Sequence, residues 1–294
     1  MAHSMPSGGG IHRISSDEGF SGDGMCSLGN DTLIIGNLVK DHVQVDGNHP
    51  DGFQSWSRGP DGAMGKGVVR GLVIENNTLL EWTGPADNPV RGDLQGIGMF
   101  DGMFEDLVIQ NNLIVVSAYH GIAVAGVRGA KIVNNTLLNP RRPGVRYPWI
   151  TVTGHKNGTP SERVLIANNI VPWLTFHGKR PDWVTLEDNL LTTYPAAVLV
   201  GPYQGDFHPL QGGAAIGGGD ATAAPPHRHS GQAPPGWNCP GHRSLPRELN
   251  TRVPLAGFSP RPALLPKGPL HEEPGVRVGG PGGLPKADPS PRNP

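Results

Sequence analysis

Charge is scarce in this chain. Only 17% of its residues are Asp, Glu, Lys or Arg, and 24 basic against 25 acidic side chains leave a formal net charge of −1. With the basic residues scattered rather than striped, there is no electrostatic footprint for nucleic acid. Cysteine is nearly absent: Cys26 and Cys239 have no ligand-like spacing to each other or to paired histidines, which speaks against a disulfide framework and a zinc site. No apolar run of roughly 18 residues occurs, so no membrane-spanning helix is expected. The opening MAHSMPSGGG carries no apolar core of a signal peptide. Glycine and proline, by contrast, are plentiful at 44 and 31 of 294 residues, a composition of turns and short strands rather than helices.

Self-similarity then decides the expected fold. A unit of alternating apolar residues followed by Asn-Asn recurs as LVIENNTLL (72–80), LVIQNNLIV (107–115), AKIVNNTLL (130–138) and RVLIANNIV (163–171), with degenerate copies TLIIGNLV (32–39) and VTLEDNLL (184–191). Alternation gives a strand with one buried face. Asn tolerates the left-handed backbone and can turn the chain sharply between strands. Stacked Asn side chains can pair along the axis as a ladder that satisfies their buried amides. The reading is all-β: a right-handed parallel β-helix whose coils carry loops of varying length. A β-sandwich with Asn-rich turns has no reason to repeat one dipeptide after one apolar pattern.

A second unit, polar-Gly-apolar, lies between the Asn pairs: DGMCSL (23–28), DGFQSW (51–56), QGIGMF (95–100) and HGIAVA (120–125), with PWITVT (148–153) as the next rung. In-register parallel strands about 4.8 Å apart align the residues before each glycine, so Asp23, Asp51, Gln95 and His120 form one column. The expected organisation is a disordered segment over 1–13, the β-helix over 14–225, and a disordered Pro/Gly-rich tail over 226–294. The tail also reads as out-of-frame: GC-rich codons for PPHRHSGQAPPGWNCPGHRS, shifted by one nucleotide, yield PTDIRGRPRRAGTVPDIGA. IHRISSDEGFSGDGM enters mid-coil without a cap, as in a fragment of a longer protein.

The stretch GFSGDGMCSLGNDTLIIGNLVKDHVQVDGNHPDGFQSW and the Asn-Asn rungs after it resemble the right-handed parallel β-helix repeat proteins of the pectate-lyase-like superfamily, over roughly 14–225. NHPDGFQ is loosely similar to the N-T-D-G motif of polygalacturonases and SAYHGIAVAG to their G-H-G-I motif. The paired Asp-Asp of those hydrolases is missing, and GDLQGIGMFDG stands in its place. The resemblance implies a polysaccharide lyase or hydrolase acting on a uronate-containing glycan, extracellular or periplasmic in its full-length parent. The alternatives are a non-catalytic glycan-binding or structural solenoid, and an inactive fragment of an enzyme.

Asp51, His49 and His120 are the candidate catalytic residues. Two carboxyls a rung apart, Asp23 and Asp51, share a proton, bind a cation or work as an acid/nucleophile pair, although Asp-Gly is also a plain turn dipeptide. His120 has the chemistry of a general base for a uronate C5 proton, with Tyr119 or Arg128 as partner. Asp23, Gln54, Gln95, Trp56 and Arg128 are candidate substrate-binding residues: amides both donate to and accept from hydroxyls, indoles face sugar CH groups, and Arg meets carboxylates. Asp46 with Asp23 offers oxygen ligands for calcium, the one cofactor considered. Gly52 is expected to leave the face beside Asp51 open. The partner is a polysaccharide, with neither nucleic acid nor membrane, and the sequence does not specify the oligomeric state.

Overall fold

A computed structural model describes residues 3–4, 11–12, 17–18, 22–43, 45, 47, 49–139 and 146–223. Over these residues the chain is a right-handed parallel β-helix built from three sheets. The first sheet stacks His3–Ser4, Met25–Cys26, Asp51–Trp56, Gln95–Asp101, His120–Ala125, Trp149–Thr153 and Trp173–Thr175. The second stacks Ile11–His12, Leu33–Ile35, Val73–Glu75, Met103–Gln110, Val127–Val133, Glu162–Ala167 and Val184–Glu187. The third stacks Asp17–Glu18, Leu38–Lys40, Thr78–Leu80, Leu113–Val115, Thr136–Leu138, Ile170–Val171 and Leu190–Leu191. Segment 1–13, expected to be unstructured, contributes strands His3–Ser4 and Ile11–His12, each paired in parallel with the coil above. The tail 226–294 lies outside the described residues, as does its reading as out-of-frame sequence.

Each coil sends one apolar column inward from every sheet. Met25, Phe53, Ile97, Ile122 and Ile150 come from the first, Ile34, Ile74, Ile109, Ile132 and Ile166 from the second, and Val39, Leu79, Ile114 and Leu137 from the third, all at 1% exposure or less. A fully buried side chain of this size is worth about 1.5–3 kcal/mol, and the repetition supplies that on every rung.

The Asn-Asn unit divides its work between its two residues. The first turns the chain: Asn76, Asn111, Asn134 and Asn168 have φ between +55° and +58°, with Gly36 (+67°) and Asp188 (+43°) in the degenerate copies. The second builds the ladder, in which Asn37, Asn77, Asn112, Asn135 and Asn169 each donate Nδ2–H to Oδ1 of the next, ending on Asn189, at 2.8–3.0 Å. A second left-handed column, Asp31, Gly71, Asp106, Gly129 and Arg163, runs along the second sheet, just before strands Leu33–Ile35 and Val73–Glu75 and within Met103–Gln110, Val127–Val133 and Glu162–Ala167.

The last coil closes with Leu190–Leu191. Residues 195–223 do not continue the winding. A 3-10 turn, Pro195–Ala197, leads into an antiparallel pair, Leu199–Gly201 with Asp206–Pro209, whose strands a second 3-10 turn, Pro202–Gln204, connects. Val198, Leu199 and Ala215 from this strap cover the outer apolar face of the third sheet at Leu80, Val115, Leu138 and Ile170. Asp220 clips it down, its backbone N–H and C=O pairing with the Asn168 amide at 2.8 Å each. Among the described residues, no comparable strap covers the outer face of the first sheet.

Candidate functional site

The residue before each glycine is turned outward because the glycine itself is pressed inward. A Cβ at Gly96 would lie 2.1 Å from Gly121 O and 2.8 Å from Ile114 Cγ2, and one at Gly52 would lie 2.9 Å from Leu79 Cδ1. Gly52 therefore does not open the face beside Asp51, as the sequence reading had it. It lets the first sheet approach the third across the core.

The column forms in register. Asp51 N–H donates to Asp23 Oδ1 at 2.9 Å, Asp51 pairs with Gln95, and Gln95 Oε1 meets His120 Nδ1 at 3.0 Å. The same line continues beyond His120 to Trp149 and then Trp173. Both indoles escaped the sequence reading because a register shift after His120 leaves Gly121 without a counterpart, and the polar-Gly signature vanishes. The signal that could have found them is the repeat PWIT (148–151) and PWLT (172–175).

Asp51 is only 2% exposed. Its Oδ2 accepts from Gln54 Nε2 at 3.3 Å, while Oδ1 is buried with no hydrogen-bond partner. A Cβ at Gly98 would stand 2.5 Å from that oxygen, so Gly98 makes room for the carboxyl. Burial, and then the charge of Asp23, push the acid up to about 8 against the opposing Gln54 hydrogen bond, so Asp51 keeps its proton at neutral pH. His120 moves the other way: half-burial lowers it below the ordinary imidazole value, helped by the charges of His177 and His49. With Gln95 Oε1 accepting, Nδ1 carries the hydrogen and Nε2 is left with its lone pair. His177, in a left-handed loop position with φ +53°, is the other neighbour that the sequence reading missed.

Aromatic rings close around this histidine. Ring centroids of Phe100, Tyr119 and Trp149 lie 5.2, 4.7 and 5.7 Å from that of His120, and Tyr119 and Trp149 are 4.8 Å apart. Phe100 sits at the far end of its strand, so its ring and the imidazole lean toward each other along the sheet, across buried Gly98 and Ala123. Tyr119 and Trp173 are 43% and 52% exposed.

The remaining predicted residues divide. Gln54 projects from the column's strand onto Asp51. His49 is exposed in the turn leading into it. Trp56 stands at the opposite end of that strand, beside Met64 and Phe100. Arg128 is not in the column: Gly126, at φ +92°, turns the chain out of the first sheet, and Arg128 lies on the second, paired with Glu105 at 3.3 Å. Asp23 braces the Asp51 backbone. Its proposed calcium partner Asp46 lies outside the described residues, and among the described residues no group of three or more His, Cys, Asp or Glu is placed to hold a metal. No protein-family model, curated protein or solved structure matches the chain.

Proposed function

We propose that this is a polysaccharide-active β-helix protein of the pectate-lyase-like kind, a lyase that takes a uronate-containing glycan along the Asp51–Trp173 column, in an extracellular or periplasmic setting. One observation carries this reading. A carboxyl that retains its proton and an imidazole that sheds its own stand two rungs apart, about 10 Å, on a wall that continues into exposed aromatic rings. β-Elimination calls for a base at C5 and a proton for the departing oxygen, and these two side chains are the candidates for the two roles. His120 Nε2 takes the proton from C5, the C4–O bond breaks with its electrons leaving on oxygen, and a C4–C5 double bond forms. Asp51 supplies the proton that the leaving oxygen requires, once substrate displaces the Gln54 amide from it. Gln95 holds the imidazole tautomer, and Trp149 and Trp173 offer flat apolar faces to the sugar rings beyond.

The test is the ultraviolet absorbance of unsaturated uronate released from alginate, pectate or glucuronan. Wild type is expected to produce it on one of them, and His120→Ala to lose at least about a hundredfold in kcat, as expected for a general base. No product from wild type on any of the three ends the lyase reading. The near-complete burial of Asp51 favours a second reading, a non-catalytic glycan-binding solenoid in which Asp51 is structural. In that case Trp173→Ala weakens glycan binding and no variant changes turnover, because there is none.

A further inference from the structure

The first sheet carries a second recess, at the end of the strands away from Asp51. It has a volume of about 240 Å³ and is lined by Gln54, Ser55, Trp56, Met64, Phe100 and Asp101. Binding sites for drug-sized ligands run to about 300–1,000 Å³, so this one suits a single ring rather than a length of chain. Its walls are of two kinds. Trp56 and Phe100 supply aromatic surface, and Met64, 59% exposed, closes the rim from the loop after Ser57. That loop is pinned: Arg58 bridges to Met64, Gly65 N–H donates to Ser57 O at 2.9 Å, and Gly67 N–H to Ser57 Oγ at 3.1 Å.

The polar groups suit hydroxyls. Gln54 both donates and accepts, and Asp101 accepts. The one acid in the lining is already neutralised, since Lys156 is ion-paired with Asp101. A uronate carboxylate placed here would meet Asp101 and compete for its lysine, whereas an uncharged ring meets only acceptors, donors and aromatic faces.

We propose that this recess is a sugar subsite for one uncharged pyranose ring, so that the glycan carries neutral sugars as well as uronates. This rests on the glycan reading above and deepens it. The probes are methyl β-D-glucopyranoside, methyl β-D-galactopyranoside and methyl α-D-mannopyranoside, with methyl β-D-glucuronoside as the charged counterpart, each observed by saturation-transfer NMR with the full chain. At least one neutral glycoside is expected to receive saturation on its ring CH protons, at least about fivefold more strongly than the glucuronoside. Trp56→Ala should abolish that transfer, and Met64→Ser, an exposed change that leaves the core intact, should reduce it at least threefold.

Absence of transfer to all three neutral glycosides overturns the subsite, as does transfer that survives both Trp56→Ala and Met64→Ser, or a preference for the glucuronoside. The two readings fail separately. Saturation that depends on Trp56 without any turnover of uronate polymers leaves the subsite standing and removes the lyase. Turnover without such saturation does the reverse.

Discussion

Asp51 is the residue on which the chemistry turns, and its burial has a consequence that does not require a substrate. Its carboxyl ionises near 3.8 in the unfolded chain and at about 8 in the folded one. Between those values the folded state holds a proton that the unfolded state has lost. Stability contributed by the neutral acid is therefore fully present below pH 4 and falls as pH rises to 8, by up to about 1.4 kcal/mol per pH unit. Asp51→Asn removes this dependence while keeping the shape. In urea unfolding, the stability of wild type relative to Asp51→Asn is expected to fall by roughly 3 kcal/mol between pH 5 and pH 7.5. A difference that stays constant over that range would mean that the carboxyl is not buried as described.

At the scale of strands and turns, the ladder holds the coils in register, and register brings the column together. Asn135 is fully buried. Its Nδ2 donates to Ile109 O, Val133 O and Asn169 Oδ1, and its Oδ1 accepts from both the backbone and side-chain nitrogens of Asn112. Asn135→Ala orphans several of these at about 1–3 kcal/mol each, and a total loss of about 3–5 kcal/mol is expected in denaturant unfolding. Asn189→Ala, at the half-buried end of the ladder, should cost about 1 kcal/mol. Equal costs at the two positions would show that the ladder does not act as a connected stack.

How much was legible follows from the same elements. Asn-Asn after an alternating apolar run states both a turn and a ladder rung, so the parallel solenoid and the alignment of Asp23, Asp51, Gln95 and His120 could be read from text, whereas the two repeating units suggested two strands per coil where the fold has three. What could not be read was anything set by a neighbouring coil. The inward press of Gly52 depends on Leu79, and the burial of Asp51 on Gly98 and Gln54. The positions of Trp149 and Trp173 depend on a bulge opposite Gly121, and the exile of Arg128 to the second sheet on the turn at Gly126.

Across the whole molecule, the sheets differ in what they show to the outside. The third sheet presents leucines, isoleucine and valine, and the strap over 195–223 covers them. The first presents carboxyls, amides, imidazole and indoles, with no comparable strap over them among the described residues, and the candidate site is there. Leu199 is the centre of the strap at 1% exposure, and Leu199→Asp places an unpaired charge against that face. A loss above about 3 kcal/mol is expected, together with increased binding of a hydrophobic dye. Unchanged dye binding would show that the strap is dispensable to the solenoid.

The chemistry assigned to the column is tested most directly by the pH dependence of turnover on whichever uronate polymer is cleaved. The predicted profile is a bell. Its acid limb lies below the ordinary imidazole value of 6.5, where His120 takes up its proton, and its alkaline limb lies near 8, where Asp51 loses its own. In Asp51→Asn the alkaline limb disappears, along with most of the rate, while the acid limb stays. An alkaline limb that persists unchanged in Asp51→Asn, or an absence of turnover at every pH from about 5 to 9, would contradict the account.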